Sequence, residues 1–335
     1  MKLASMENGR PDGRLVVVSA DLGTCVSAGR IAPTLQAALD SWESAEPQLR
    51  ALALQLEKGR VAGEPFVPAK ALAPLPRAYQ WIDGAAYLGH LERVRNLRNS
   101  GIGQIATDRP LMYQGASDSL CAGHAPIRAP DAELAVDFEA ELAVILGPVP
   151  MGAARSAAAG SVRLIALCND ISFRKLVAED LTHGFGFFHS KPATSFASVV
   201  VTPDELGAAW RFERAHVRVR VELNGKVFGD LDAGADMDFT FADLIVEAAR
   251  TRQLGTGTIL GSGTIANRHA ENGARPRKTD GYACIAEART AEKAALGKAV
   301  TPFLQHGDRV RIEAFDDRGR SLFGAIDQRV ELNLS

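Results

Sequence analysis

The sequence predicts a β-rich α+β protein, and three observations carry that prediction. From about residue 110 the chain breaks into short apolar runs separated by turn residues: "VDFEAELAVIL", "SVRLIALCND", "VRVRVELNGKVFGD", "DRVRIEAF" and "SLFGAIDQRVEL". Three of these alternate with period two, the pattern of a strand with one buried face. Helical stretches are fewer and lie between them: "SFRKLVAEDL", uninterrupted by Gly or Pro, and "FTFADLIVEAARTR". The composition is that of an ordinary globular chain, 335 residues with 46% apolar and 23% charged, long enough to bury a large core without covalent staples.

Taken in order, "MKLASM" and "RLVVVSA" flank the turn "ENGRPDG", whose Asn-Gly and Asp-Gly pairs favour a tight reversal between two strands. Thr34 then caps a helix reaching toward Lys58, and Pro47 interrupts it, predicting two short helices or a kink. The proline-rich stretch "EPFVPAKALAPLPRAY" has no periodicity and reads as a linker. It places a boundary near residue 72, between a small N-terminal domain (1–72) and a larger one (73–335). Residues Asp83–Asn99 read as a helix, and "VELNGKVFGD" as a hairpin closed by Asn-Gly. There is no internal repeat.

Charge and cysteine usage narrow the class. The formal net charge is −2, so no global field favours nucleic acid or an anionic membrane. Basic residues come only in short clusters such as Arg275, Arg277 and Lys278. Cys25, Cys121, Cys168 and Cys284 are far apart and form no C-x-x-C pair, which argues against a zinc finger or thioredoxin-like motif and fits reduced thiols in a cytoplasm. Met1–Arg14 lacks the apolar core of a signal peptide, and no apolar run is long enough to span a bilayer.

The residues suited to chemistry begin with Asp137, Glu139 and Glu141. On one strand they share a face, either as a solvated acidic edge or as ligands. Like charges so close repel unless a cation lies among them, and oxygen-only ligation favours Mg²⁺, Ca²⁺ or Mn²⁺ over zinc. Asp170 ends the apolar run "LIALCN" and is either a further ligand or the N-cap of a helix starting at Ser172. Asp83 carries the same ambiguity with the helix that holds His90. His124, His183, His189, His216, His269 and His306 show no metal-ligand spacing. Lys191, in the apolar loop "FFHSKPATSF", is either a desolvated cation that stabilises an anion or a snorkelling surface side chain. "LGSGTIAN", with Ser262 and Thr264, lacks the strand–helix setting of a nucleotide-binding loop and suits close backbone approach to a ligand, or an ordinary tight turn. Glu287 is a single acid in "GYACIAEART", read as an apolar strand. If buried it requires a partner, for which a histidine is suited; otherwise it faces solvent.

In combination, these segments resemble the fumarylacetoacetate hydrolase family over residues 74–330. The family's E-x-E and distant Asp match Glu139, Glu141 and Asp170, and "NDISFR" matches its N-D-x-S-x-R segment. "SKPATSF" matches its lysine loop, "GSGTI" its substrate-binding turn and "MYQGASD" its tyrosine segment, while "DGRLVVVS" resembles the small N-terminal domain of bacterial members. The resemblance implies a mixed β-sandwich roll and a divalent ion, Mg²⁺ or Ca²⁺ with Mn²⁺ as a further option, held by Asp83, Glu139, Glu141 and Asp170. Asp83 precedes His90 by the seven residues that separate ligand and catalytic histidine in fumarylacetoacetases, and Glu287 matches the acid that orients that histidine. Lys191 joins the catalytic set, and Tyr113, Arg174 and Thr264 the substrate contacts. Two positions depart from the family: Ala85 stands where a tyrosine is expected and Val177 where a glutamine is expected.

The implied activity is hydrolysis of a carbon–carbon bond in a small β-diketo acid, first of all fumarylacetoacetate to fumarate and acetoacetate in tyrosine and phenylalanine breakdown, by a cytoplasmic homodimer. Acylpyruvate hydrolysis, 2-oxo acid decarboxylation and 2-keto-4-pentenoate hydration are alternatives on the same scaffold. A carboxylate-binding protein with a structural metal is the alternative outside catalysis.

Overall fold

Every residue of the strand Ala140–Leu146 is buried, and so is nearly all of its neighbour Val162–Asn169. Strands covered on both faces carry continuous rather than alternating apolar sequence, which is what "AELAVIL" and "VRLIALCN" show. In the computed structural model, which describes residues 1–96, 108–268 and 280–332, these two strands pair antiparallel at the centre of a large mixed sheet. Residues 97–99 of the predicted Asp83–Asn99 helix, His269 and the cluster Arg275, Arg277 and Lys278 lie outside the described residues.

Across the large sheet the order runs Glu64–Pro65, Thr24–Ser27, Arg14–Val18, Lys2–Met6, Val200–Val201, Val162–Asn169, Ala140–Leu146, Ile259–Gly261, Trp81–Gly84 and Met112–Gly115. The N-terminal strands are continuous with the rest, because Lys2–Met6 pairs antiparallel with Val200–Val201. A second sheet of six strands runs Asp280–Gly281, Lys226–Asp232, Arg218–Leu223, Arg309–Phe315, Ile326–Leu332 and Ile127–Ala129. The Asn-Gly hairpin is one of its pairs: Asn224 and Gly225 both take left-handed backbone (φ 53° and 75°), the requirement of a two-residue turn matching the twist of the strands.

The helices are α1 (Leu35–Asp40), α2 (Trp42–Glu57), α3 (Leu88–Asn96), α4 (Arg155–Gly160), α5 (Arg174–His183), α6 (Phe241–Ala248) and α7 (Ile285–Leu296). Leu142, Val144 and Leu146 share one apolar cluster with Val219, Val221 and Ile312 of the second sheet. The alternate residues Ala143 and Ile145 join a second cluster with Leu35, Leu39 and Leu49 of α1 and α2. The large sheet is thus sandwiched between a second sheet and helices, an α+β architecture. Among the described residues no helix is long and apolar enough to cross a membrane.

Several local expectations are corrected. The break between the first two helices falls at Ser41, whose backbone is non-helical (φ −121°, ψ 36°), and Pro47 sits inside α2. As the sixth residue of that helix it forfeits one of the first ladder bonds of α2. Asp83 lies on a strand, and the helix begins five residues later at Leu88. Asp170 caps no helix: Ser172–Phe173 pairs with Val136–Asp137, and α5 starts at Arg174. Glu287 is on α7 rather than a strand, since "IAEARTAEKAAL" is rich in strong helix formers that override the short β-like run before it.

Candidate active site

Two strands and the end of a third bring acidic side chains to one patch of the large sheet. Across antiparallel pairs Glu141 stands opposite Cys168, so Asp170, two residues further on, continues the same face. On the other side Asp83 stands opposite Gly261 in a parallel pair and opposite Tyr113 in an antiparallel one. The strand between Glu141 and Asp83 therefore presents a glycine on this face. A Cβ on Gly261 would come 2.3 Å from the Asp83 carboxylate and 2.5 Å from the Trp81 ring. Its absence leaves the space over which carboxylates two strands apart meet. Oxygens of Asp83, Glu141 and Asp170 all lie within 4.8 Å of one another, and all three residues are buried.

The three are unequally satisfied. Asp170 accepts hydrogen bonds from Tyr113 Oη (2.6 Å), Lys191 Nζ (2.6 Å) and Thr194 Oγ1 (2.7 Å). Asp83 accepts one from the backbone N–H of Gly263 (3.1 Å). Here the Gly-rich turn, with Thr264 buried beside it, closes on the sheet itself: Gly263 has φ 76° and a Cβ there would strike the carbonyl of Gly84. Neither Glu141 oxygen has a hydrogen-bond partner. Burial and the neighbouring Asp83 push the Glu141 carboxyl well above the usual range, and burial with Asp170 pushes that of Asp83 up to about 8.

Asp137, Glu139 and Glu141 do not act as one face. The strand breaks between Asp137 and Ala140, and the three side chains part. Asp137 accepts from the N–H groups of Ile285 (2.8 Å) and Ala286 (2.9 Å) and from Arg174 Nε (2.8 Å). It thereby satisfies orphan donors at the start of α7. Glu139 stands beside the trio with Lys191 Nζ at 2.7 Å and Arg174 Nη2 at 2.5 Å. Burial opposes its charge, but Lys191 and Arg174 outweigh burial and hold the carboxyl well below the usual range. Lys191 is correspondingly buried, not snorkelling, and Asp170 and Glu139 hold its ammonium charged against the cost of burial.

The second half of the site lies between α3 and α7. His90 Nδ1 is 2.6 Å from Glu287 Oε1, and Arg93 Nη1 donates to Glu287 Oε2 (2.9 Å). With Arg93 on its other oxygen, the Glu287 carboxylate is the acceptor, so Nδ1 carries the ring proton and Nε2 keeps its lone pair. Sequence reasoning passed over Arg93, Thr194 and Gly261. Arg93 was visible in principle, three residues from His90 on one helix face; Thr194 lies in the lysine loop already singled out; Gly261 lies in the Gly-rich segment already singled out, but its place opposite Asp83 depends on which strands flank it.

A divalent cation suits this donor set. The trio offers hard oxygen ligands, two of them buried atoms without partners, in a place where burial disfavours their charge. A cation there satisfies the orphaned oxygens and offsets the repulsion among the three carboxylates.

The fumarylacetoacetate (FAA) hydrolase C-terminal family matches residues 80–331, and the fumarylacetoacetase N-terminal domain 2 family matches residues 1–77. The fold resembles that of fumarylacetoacetate hydrolase from psychrophilic Exiguobacterium antarcticum (20% identity, 99% of each chain covered, TM-score 0.64). It also resembles maleylpyruvate hydrolase from Sphingobium sp. SYK-6 in complex with manganese(II) and pyruvate (18%, 99% of each chain, TM-score 0.62). A third likeness is to 5-carboxymethyl-2-hydroxymuconate delta-isomerase from Mycobacterium smegmatis (18%, 99% of each chain, TM-score 0.60). No curated protein matches the sequence significantly. With three quarters of its length matched by the catalytic-domain family and the remainder by the N-terminal one, the chain belongs to the fumarylacetoacetate hydrolase family.

Proposed function

We propose that the protein is a divalent-metal-dependent hydrolase that cleaves a carbon–carbon bond in a β-diketo acid. The observation that carries this reading is the buried trio Asp83, Glu141 and Asp170, with unpartnered Glu141 oxygens, on the same molecule as a His90–Glu287 pair. Asp83, Glu141 and Asp170 would hold Mg²⁺, Ca²⁺ or Mn²⁺, and Glu139 would join them by exchanging its contacts with Lys191 and Arg174. A bound divalent ion supplies Lewis-acid polarisation of the substrate's paired oxygens.

The chain's own residues supply the rest. Glu287 fixes the ring and tautomer of His90, and His90 Nε2 takes a proton from the attacking water. Water oxygen bonds to a carbonyl carbon, the carbon–carbon bond breaks, and the released carbon takes up a proton. Lys191, which is buried, and Arg174, which is largely so, would offset the negative charge that develops. Tyr113, which donates to Asp170, and Thr264 would contact the substrate in this reading.

Fumarylacetoacetate is the first substrate in this reading, with the tyrosine-catabolic role and the cytoplasmic homodimer that go with it. Acylpyruvates are the second, supported by the pyruvate-bound manganese complexes of two solved relatives. Incubating the Mg²⁺- or Mn²⁺-loaded protein with fumarylacetoacetate, acylpyruvates, 2-oxo acids and 2-keto-4-pentenoate, with product identification, decides between them. Fumarate and acetoacetate as the fastest products support the first substrate. Pyruvate with a carboxylic acid supports the second. Inactivity across the panel with the ion bound refutes the catalytic reading. Size-exclusion chromatography with light scattering checks the dimer.

A further inference from the structure

We propose a second, soft-metal site made of Cys284, His90 and Glu287, through which Zn²⁺ would switch the histidine off. Donor atoms of these three residues all lie within 4.8 Å of one another. They offer sulfur, nitrogen and oxygen, the set that suits zinc, whereas the carboxylate trio offers oxygen alone. One molecule therefore carries a hard and a soft constellation side by side.

The thiol is placed for this and for nothing else on view. Cys284 is the N-cap residue of α7, a position that normally uses a side-chain oxygen to hold the first N–H groups. Its side chain makes no such bond. Asp137 does that work from another strand, accepting from Ile285 and Ala286. The Cys284 sulfur is completely buried and has no hydrogen-bond partner among the described residues. His90 keeps a partly exposed side chain, so an ion arriving through the active site meets the ring first.

Ligand distances of about 2.0–2.3 Å require the His90 Nδ1–Glu287 Oε1 pair, now at 2.6 Å, to open by roughly 1 Å. Charge and protons balance. The thiol loses one proton to solvent, and thiolate and carboxylate together neutralise the dication. The imidazole stays neutral while its ring proton moves from Nδ1 to Nε2. Nε2 then has no lone pair to offer. Loss of turnover rests on the role proposed above for His90; occupancy of the site does not.

The test uses the full chain loaded with Mg²⁺. Co²⁺ is titrated while the near-ultraviolet sulfur-to-cobalt charge-transfer absorption is followed, and Zn²⁺ is titrated against turnover. The expected result is a band that saturates at about one ion per chain and disappears in Cys284→Ser and in His90→Ala. Cys284→Ser, which touches no substrate, keeps basal activity and needs at least about tenfold more Zn²⁺ for half inhibition. A band that persists in Cys284→Ser, no band in the wild-type protein, or equal Zn²⁺ sensitivity of the two proteins overturns the proposal. Because the band needs no turnover, its failure is distinguishable from failure of the hydrolase reading.

Discussion

The carboxylate trio and the His90–Glu287 pair are built by opposite means. The trio stands on the face of a sheet, where residue parity and register decide which side chains meet, and it leaves the two Glu141 oxygens unpartnered. The pair is held between helices α3 and α7, where Glu287 has a partner on each oxygen. A buried group left unsatisfied costs stability, and the trio bears that cost in the metal-free chain. The pair does not, because its hydrogen bonds are complete before any substrate arrives. The first region is therefore organised to receive a cation and the second to hold a proton in a fixed place.

That contrast is sharpened most by Glu141→Gln. It replaces an acid that burial and Asp83 already drive toward its neutral form in the metal-free protein by a permanently neutral amide, so ion binding and turnover should be lost while the metal-free protein melts no lower than wild type. Calorimetric titration and thermal melts check both halves, and retained ion affinity would place the cation elsewhere. His90→Ala should behave in the opposite way, lowering kcat by about 10²–10⁴-fold with ion affinity unchanged; a joint loss of ion binding would make His90 a ligand. Gly261→Ala should act between these extremes. The added methyl meets Asp83 and Trp81, and overpacking of this kind costs about 1–3 kcal/mol, with weakened ion binding and an intact His90–Glu287 pair. An unaltered melting temperature would contradict the glycine gap. The smallest change is expected from Thr34→Ala, far from both regions. Loss of its cap on the N–H of Ala37 costs about 1 kcal/mol of stability and leaves ion affinity as it was.

What could be read from the chain follows the range of the interactions involved. The first two strands, the Thr34 cap, the Asn-Gly hairpin and the helix Phe241–Ala248 with its Thr240–Asp243 capping box rest on local chemistry, and the structure has them where that chemistry points. Ser172–Phe173 went astray because a partner distant in sequence decides it, whereas Ile285–Leu296 follows its own strong helix formers and only its start is held from afar. Val136–Asp137 draws the first into a strand pair, and Asp137 caps the second from outside. The parting of Asp137, Glu139 and Glu141 has the same origin. Period two puts them on one face only while the strand continues: Arg174 and α7 both claim Asp137, Lys191 claims Glu139, and neither Glu141 oxygen is claimed. The proximity of Asp83, Glu141 and Asp170 was legible only through the family resemblance, since no single-strand pattern reports a parallel pair such as Trp81–Gly84 with Ile259–Gly261.

The central claim is that the sheet-borne carboxylates, Glu141 foremost, form a site for a divalent ion. Isothermal titration of Mn²⁺ into the metal-free wild-type protein and into Glu141→Gln tests it most directly. The account predicts about one ion per chain for the wild type and no measurable binding for the variant. Equal binding by both proteins would contradict it.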